Sequence, residues 1–396
     1  MKRLILILVV FLPVTMIAQQ TDSSRMTEQP GPGAGPLDVA SSTGGLTDAW
    51  LASNANERSG SFSEPQPAPL PPQANKATQP QKTKEPSRPP IEGSMVGYID
   101  NPIVGSQIRI RFDGAFDDEF PDRSEFFYAK CSCYRGLLGT PNLDPNAPGP
   151  GRGVPKSINF QQLYMNVEYS PHRRLSAFVE VPIRWLQPQG FLPVPGPPSM
   201  FPPFSNQSGL SDVQAGFKFA AVTSEGTYLT FQFKSYFPSG DASQGLGTHH
   251  YSVEPSLLLY HSLSERWTLE GQVGDWHPIG GSAGVPTASS EGFAGDVFFY
   301  GVGPSYKLYH RNHVGLAPVV ELFGWHVLSG FQTQPRPQPI PTSAATEVSG
   351  LNIVNLKVGV RTSIGFRNSF YVGFGQALTH DDWYKHIVRL EYRYSF

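Results

Sequence analysis

Six cations in this 396-residue chain stand at even spacings: Arg109 and Arg111, Lys357 and Arg361, Arg389 and Arg393. In an extended chain successive side chains point to opposite faces, so each pair shares a face. Glu254, Glu270 and Glu321 sit at matching positions in other extended segments. If the segments bearing the cations are neighbours, they form a basic wall facing an acidic one. A transverse field of that kind orients a dipolar or anionic solute. The alternative is that the charges pair across the interior and fill it, as in small barrels.

Three other groups invite chemistry. The stretch Phe191 to Phe204, with Phe191, Phe201 and Phe204, is apolar for a connection. It either folds inward as the hydrophobic mouth of a passage or packs over a rim against lipid A or neighbouring loops. His250 and Ser252 share one face, near His249, His261 and Asp241. That face is the charged one, whereas a barrel phospholipase works at its lipid-facing wall, and Val253 and Glu254 stand where its His-x-Ser-Asn-Gly signature needs Asn and Gly. With no nucleotide loop, zinc motif or nucleophile elbow in the chain, neither an enzyme nor a cofactor is expected. Cys131 and Cys133 are too few for a zinc site. In an oxidising compartment they have only each other as partners, so a local disulfide is expected.

The segments that position these residues share one period. In the final eleven residues His386, Val388, Leu390, Tyr392, Tyr394 and Phe396 fall on one face, and Ile387, Arg389, Glu391, Arg393 and Ser395 on the other. A two-residue period marks a strand with one apolar and one polar side. Twelve such segments follow one another: about 103–115, 158–170, 173–186, 210–221, 227–237, 249–260, 265–276, 294–309, 313–327, 352–365, 369–379 and 386–396. The connections alternate between short turns, as at Thr223-Ser-Glu-Gly226, and long links such as 116–157 and 329–350. Transmembrane barrels have this asymmetry and, in bacteria, an even strand number. Aromatics gather at segment ends: Tyr169, Phe219, Trp267, Tyr306, Tyr394 and Phe396 at one interface, Trp185, Phe237, Tyr251 and Tyr384 at the other. Such rings form interfacial girdles.

Composition agrees. Charged residues are 16% against roughly 25% in ordinary soluble domains, and aromatics are 12%. A net charge of -2 gives no bulk attraction to nucleic acid, which is not an expected partner. Lys2 and Arg3 precede the apolar run Leu4 to Leu12, and Ala18-Gln19 is a cleavage point, so residues 1–18 read as a secretory signal peptide. Residues 19–93 are rich in Pro, Gln, Ser and Gly without apolar periodicity, and are expected to be a disordered periplasmic segment. Residues 94–396 are expected to be the barrel.

The stretch 209–259 carries a more particular pattern: Gly209-Leu-Ser-Asp212, Gly216-Phe-Lys218, Phe237-Pro-Ser-Gly-Asp241, Gly245-Leu-Gly247 and Glu254-Pro-Ser-Leu-Leu258. It resembles the outer-membrane family named for the meta-pathway of phenol degradation, with the resemblance extending over roughly 160–396. The resemblance implies an outer-membrane barrel that takes up aromatic or other small hydrophobic compounds, and it brings no catalytic residues. The Pro238–Asp241 segment itself reads as a turn, with Asp241 capping backbone amides.

The sequence therefore predicts an all-β protein, an antiparallel up-and-down transmembrane barrel of about twelve strands after a disordered Pro-rich segment. The expected function is passive uptake of small, hydrophobic or aromatic solutes across a bacterial outer membrane. The expected partners are the solute, membrane lipid and lipopolysaccharide, and the barrel-assembly machinery, which reads a C-terminal strand ending in an aromatic such as Phe396. A non-conducting adhesin or scaffold is the alternative, and an outer-membrane hydrolase a more distant one.

Overall fold

The structure, a computed structural model, describes residues 94–132, 147–151, 153–192, 204–283, 292–311, 313–333 and 345–396. The expected signal peptide and Pro-rich segment, Cys133 and Phe201 lie outside the described residues.

Twelve long strands close into a ring. They are β1 (Gln107–Asp118), β2 (Ile158–His172), β3 (Leu175–Pro188), β5 (Val213–Ser224), β6 (Thr227–Phe237), β7 (Tyr251–Ser262), β8 (Trp267–Ile279), β9 (Val297–Tyr306), β11 (Val314–Val327), β14 (Asn352–Ile364), β15 (Asn368–Ala377) and β16 (His386–Ser395). Short pieces extend them: β4 (Gln207–Leu210) beside β3, β10 (Tyr309–Arg311) beside β11, and a two-stranded flap of β12 (Phe331–Thr333) with β13 (Ala345–Glu347). Each long strand pairs antiparallel with the next, and β16 closes the ring on β1 with Arg109 opposite Arg393, Arg111 opposite Glu391 and Asp113 opposite Arg389. Closure leaves no unpaired edge, which a lipid environment requires.

The period-2 pattern decides which way each side chain faces. On β16, Val388 and Leu390 are exposed while Ile387, Arg389, Glu391 and Arg393 are buried. The same exposure runs round the ring through Ile108, Ile110, Val167, Val179, Phe217, Leu257, Val273, Val302, Val320, Val358 and Val372. A continuous apolar belt of this extent is not left facing water; it is the lipid-facing surface of an outer-membrane-type barrel. Trp267 packs tilted on Tyr306, and Phe237 edge to face on Tyr251, on that surface at opposite ends. Tyr384 corrects the girdle assignment, being buried on the inside.

At the turn read from Phe237-Pro-Ser-Gly-Asp241, the Asp241 side chain accepts the Ser243 amide at 3.0 Å, capping a single helical turn that ends at Gly245 in the left-handed conformation. Asp212 accepts the amides of Gly240 and Thr248. These residues hold a loop together, as expected of Asp241.

The first strand starts at Gln107 rather than near Ile103. The preceding residues do not pair in the sheet. Met95, Val96, Ile99, Ile103 and Val104 are buried within the ring, because a short apolar run broken by Asn101-Pro102 has neither the alternation nor the length of a spanning strand.

Candidate functional site

The interior is organised around residues 94–106. Glu321 accepts the amides of Gly97, Tyr98 and Ile99, each at 2.9 Å, and Glu270 accepts the Met95 amide at 2.7 Å. The carbonyls of the same peptide turn the other way. Arg361 donates to Met95 O and Val96 O, Arg393 to Val96 O and Arg389 to Gly97 O at 2.6 Å. The peptide thus has its amides on Glu270 and Glu321 and its carbonyls on Arg361, Arg389 and Arg393. The descending part is held as firmly: Asp100 meets Lys234 and Gln232, Lys218 donates to Asn101 O, and Thr230 donates to Pro102 O. Hydrogen bonds to charged groups in a water-poor interior are the strong class.

Tyr371 fixes the fit. A Cβ on Gly97, Gly359 or Gly373 would overlap its ring, so the side chain lies in a slot that only three glycines leave open. Its hydroxyl donates to Glu321 at 3.1 Å.

The outer half is filled by the first long loop. Phe126 packs on Trp276 and Trp383 at 5.1 Å, and Phe127 on Phe160 at 4.4 Å. Asp122 accepts from Cys131 N and Thr333, while Arg123 donates to Gln332 and to Asp382 O. Burial raises the carboxyl pKa of both Asp122 and Glu125. Cys131 is disulfide-bonded.

Between the two fillers lies a cavity of about 260 Å³, bounded by Tyr98 and Asp100 below and by Phe126 and Phe127 above. Four of the six expected wall cations line it: Arg109, Arg111, Lys357 and Arg389. Arg361 and Arg393 are instead taken up by the inserted peptide and by Glu391, at 2.8 and 2.6 Å. Arg389 forks onto Asp113 with bonds of 2.7 and 2.6 Å, and Arg109 reaches Glu180 at 2.7 Å. Arg111 meets Glu180 at 3.3 Å and lies 3.7 Å over the Tyr164 ring. Glu254 leaves the acidic set to pair with Lys234 at 2.8 Å. Phe191 and Phe204 meet edge to face at 5.9 Å, and Phe204 packs against the main core, so neither lines the cavity.

His250 and Ser252 do point inward, with Ser252 Oγ 3.2 Å from His250 Nδ1 and Glu125 3.5 Å from Nε2. The line-up resembles a triad, yet Nδ1 is also 3.1 Å from the Tyr251 carbonyl, a contact that favours the proton on that nitrogen. A protonated Nδ1 is no base for the serine. Glu125 is occupied by the Lys130 amide and the Ser282 hydroxyl.

Residues 166–274 match the family model described as "Putative MetA-pathway of phenol degradation". The family resemblance holds. The phenol meta-pathway match contains Glu254 and Glu270, whereas all six wall cations lie outside it. No curated protein matches the chain. Solved structures of similar form include an outer membrane channel from Pseudomonas putida F1, at 13% identity and TM-score 0.43 over 74% of this chain and 96% of that one. The β domain of the Bordetella autotransporter BrkA is similar at 12% identity and TM-score 0.41 over 74% and 100%. LpxR from Salmonella typhimurium is similar at 8% and 0.37 over 73% and 100%.

Sequence reasoning missed Tyr98, Asp100 and Tyr371. For Tyr98 and Asp100 the signal lay in Met95–Val104, apolar but not alternating, between a Pro-rich stretch and the first strand.

Proposed function

We propose that this barrel is a non-enzymatic outer-membrane channel for passive passage of small, hydrophobic or aromatic solutes, closed at rest by residues 94–106. The observation that carries the reading is the cavity, whose wall combines aromatic rings with charged groups and whose floor is a peptide continuous with β1 and held across the lumen by noncovalent contacts. A floor of that kind can leave and return, whereas a lumen filled by the barrel's own strand side chains cannot. Arg109, Arg111, Lys357, Arg361, Arg389 and Arg393 then act as a basic wall that either contacts solute or receives the peptide. Export by residues 1–18, a periplasmic segment 19–93, insertion by the assembly machinery through Phe396, and contact with lipopolysaccharide belong to the same proposal. Phe396 is exposed at the strand end, and its amide donates to Ser106 O.

Proteoliposome swelling tests this reading. Small aromatic solutes should enter vesicles holding a variant with a displaced floor faster than vesicles holding the full chain, and faster than sugars of similar size. Equal swelling with protein-free vesicles in every case would instead support the second reading, a non-conducting scaffold or adhesin, which the packed interior favours.

A further inference from the structure

We propose that the lumen cavity is a binding site for a small aromatic carboxylate, with Lys357 as its anion anchor. The proposal rests on the channel reading and names the solute class. Lys357 is 3% exposed and faces the cavity. Its cross-strand partner is Glu321, but that carboxylate is occupied by three amides of the inserted peptide and by Tyr371. Asp113, the next acid along the wall, is forked by Arg389. Among the described residues no carboxylate pairs with the Lys357 ammonium.

Aromatic rings surround it instead. Its Nζ lies 4.1 Å from the Tyr98 ring centre, 4.8 Å from Phe323, 5.2 Å from Trp325 and 6.0 Å from Tyr384. Ring faces attract a cation within about 6 Å but do not neutralise it. Further donors on lining residues are buried without a hydrogen-bond partner, among them the Tyr98 hydroxyl and Trp383 Nε1, beside the Nε of Arg109 and of Arg111. A buried amine without a carboxylate partner and several buried unpartnered donors in one cavity call for an acceptor, and an acceptor with one negative charge would hold that amine in its ammonium form.

The rings and the size select the remainder of the ligand. At about 260 Å³ the cavity is near the lower end of ligand pockets, roughly 300 Å³ upward, and suits one ring rather than two. A dianionic phosphate fits poorly, because the nearby guanidiniums of Arg109, Arg361, Arg389 and Arg393 are already paired. A monocarboxylate on a single aromatic ring matches the charge, the donors and the walls.

The test is a titration of the full chain in detergent with benzoate and, separately, benzyl alcohol, read by intrinsic fluorescence. Trp276, Trp325 and Trp383 line the cavity and report its occupancy. Benzoate should bind saturably and about 10-fold or more tighter than benzyl alcohol, the factor expected for one charge-assisted bond. Lys357→Met should abolish that preference and Tyr98→Phe, which removes one oxygen only, should weaken benzoate several-fold. Equal binding of the two compounds, absence of a saturable benzoate signal, or an unchanged preference in a folded Lys357→Met protein would overturn the proposal. If Lys357→Met does not fold, an unchanged benzoate affinity in Tyr98→Phe overturns it equally. Because binding is read without a membrane, conductance with no benzoate site would sink this inference alone, and a benzoate site in a silent barrel would sink only the channel.

Discussion

Glu321 and Lys357 stand directly opposite each other on β11 and β14, and they do not pair. Neighbouring opposite charges on one face of a sheet ordinarily attract. Here the acid is diverted to the amides of Gly97, Tyr98 and Ile99, which leaves the lysine among aromatic rings. One inserted peptide thus satisfies one wall and leaves a cation of the other wall facing the cavity.

Removing the acceptor should loosen the peptide before it harms the ring. Glu321→Ala strands three buried amides and the Tyr371 hydroxyl. Breaking a buried charged contact from one side costs about 3–5 kcal/mol. Limited proteolysis of the purified protein should then cut within 94–106 while the sheet bands remain intact. Unaltered protection would mean that Glu321 does not hold the segment.

The two kinds of ion pair in this barrel should differ sharply in worth. Arg389 and Asp113 form a buried two-bond fork, whereas Lys385 and Glu119, at 2.6 Å, are both nearly half exposed. Exposed pairs are worth about 0–1 kcal/mol. Double-mutant cycles read by denaturant unfolding should give the buried pair a coupling of about 2 kcal/mol or more, and the exposed pair none beyond that small range.

Much of this was legible in the chain, for a physical reason. Where lipid lies outside and charge inside, every strand must alternate, so the positions of all twelve long strands and the inward direction of Arg109, Arg111, Lys357, Arg361, Arg389 and Arg393 could be read from a two-residue period. The neighbourhood of β1, β14 and β16 followed from ring closure. What the period cannot encode is where a non-alternating piece goes. Met95–Val104 gains its place through contacts with Glu270, Glu321, Lys218, Lys234 and the arginines, up to 297 residues away along the chain. Tyr384 was misplaced for the same reason, since it lies in a connection outside any strand, where facing is set by packing against the loop.

The docking of the first loop should depend on pH. Burial raises the carboxyl pKa of Asp122 and Glu125 above their ordinary values of 3.8 and 4.5. A raised carboxyl binds its proton more tightly when the loop is docked, so docking is favoured below the ordinary pKa and weakens as pH rises through the raised one. Hydrogen exchange of residues 119–132 should therefore speed up across that window, beyond its intrinsic pH dependence. Asp122→Asn with Glu125→Gln should remove the extra dependence.

Single-channel conductance in a planar bilayer tests the central claim most directly. The full chain should be silent or open rarely, because residues 94–106 fill one half of the passage and the first long loop the outer half. Gly97→Val, which drives a side chain into the Tyr371 ring and cannot be accommodated with the peptide in place, should conduct steadily once Asp122→Ala also releases the first long loop, as should a chain lacking residues 94–106 with the same change. Steady conductance of the full chain equal to that of both variants would contradict a closing role for this segment, and silence from all three would contradict the channel itself.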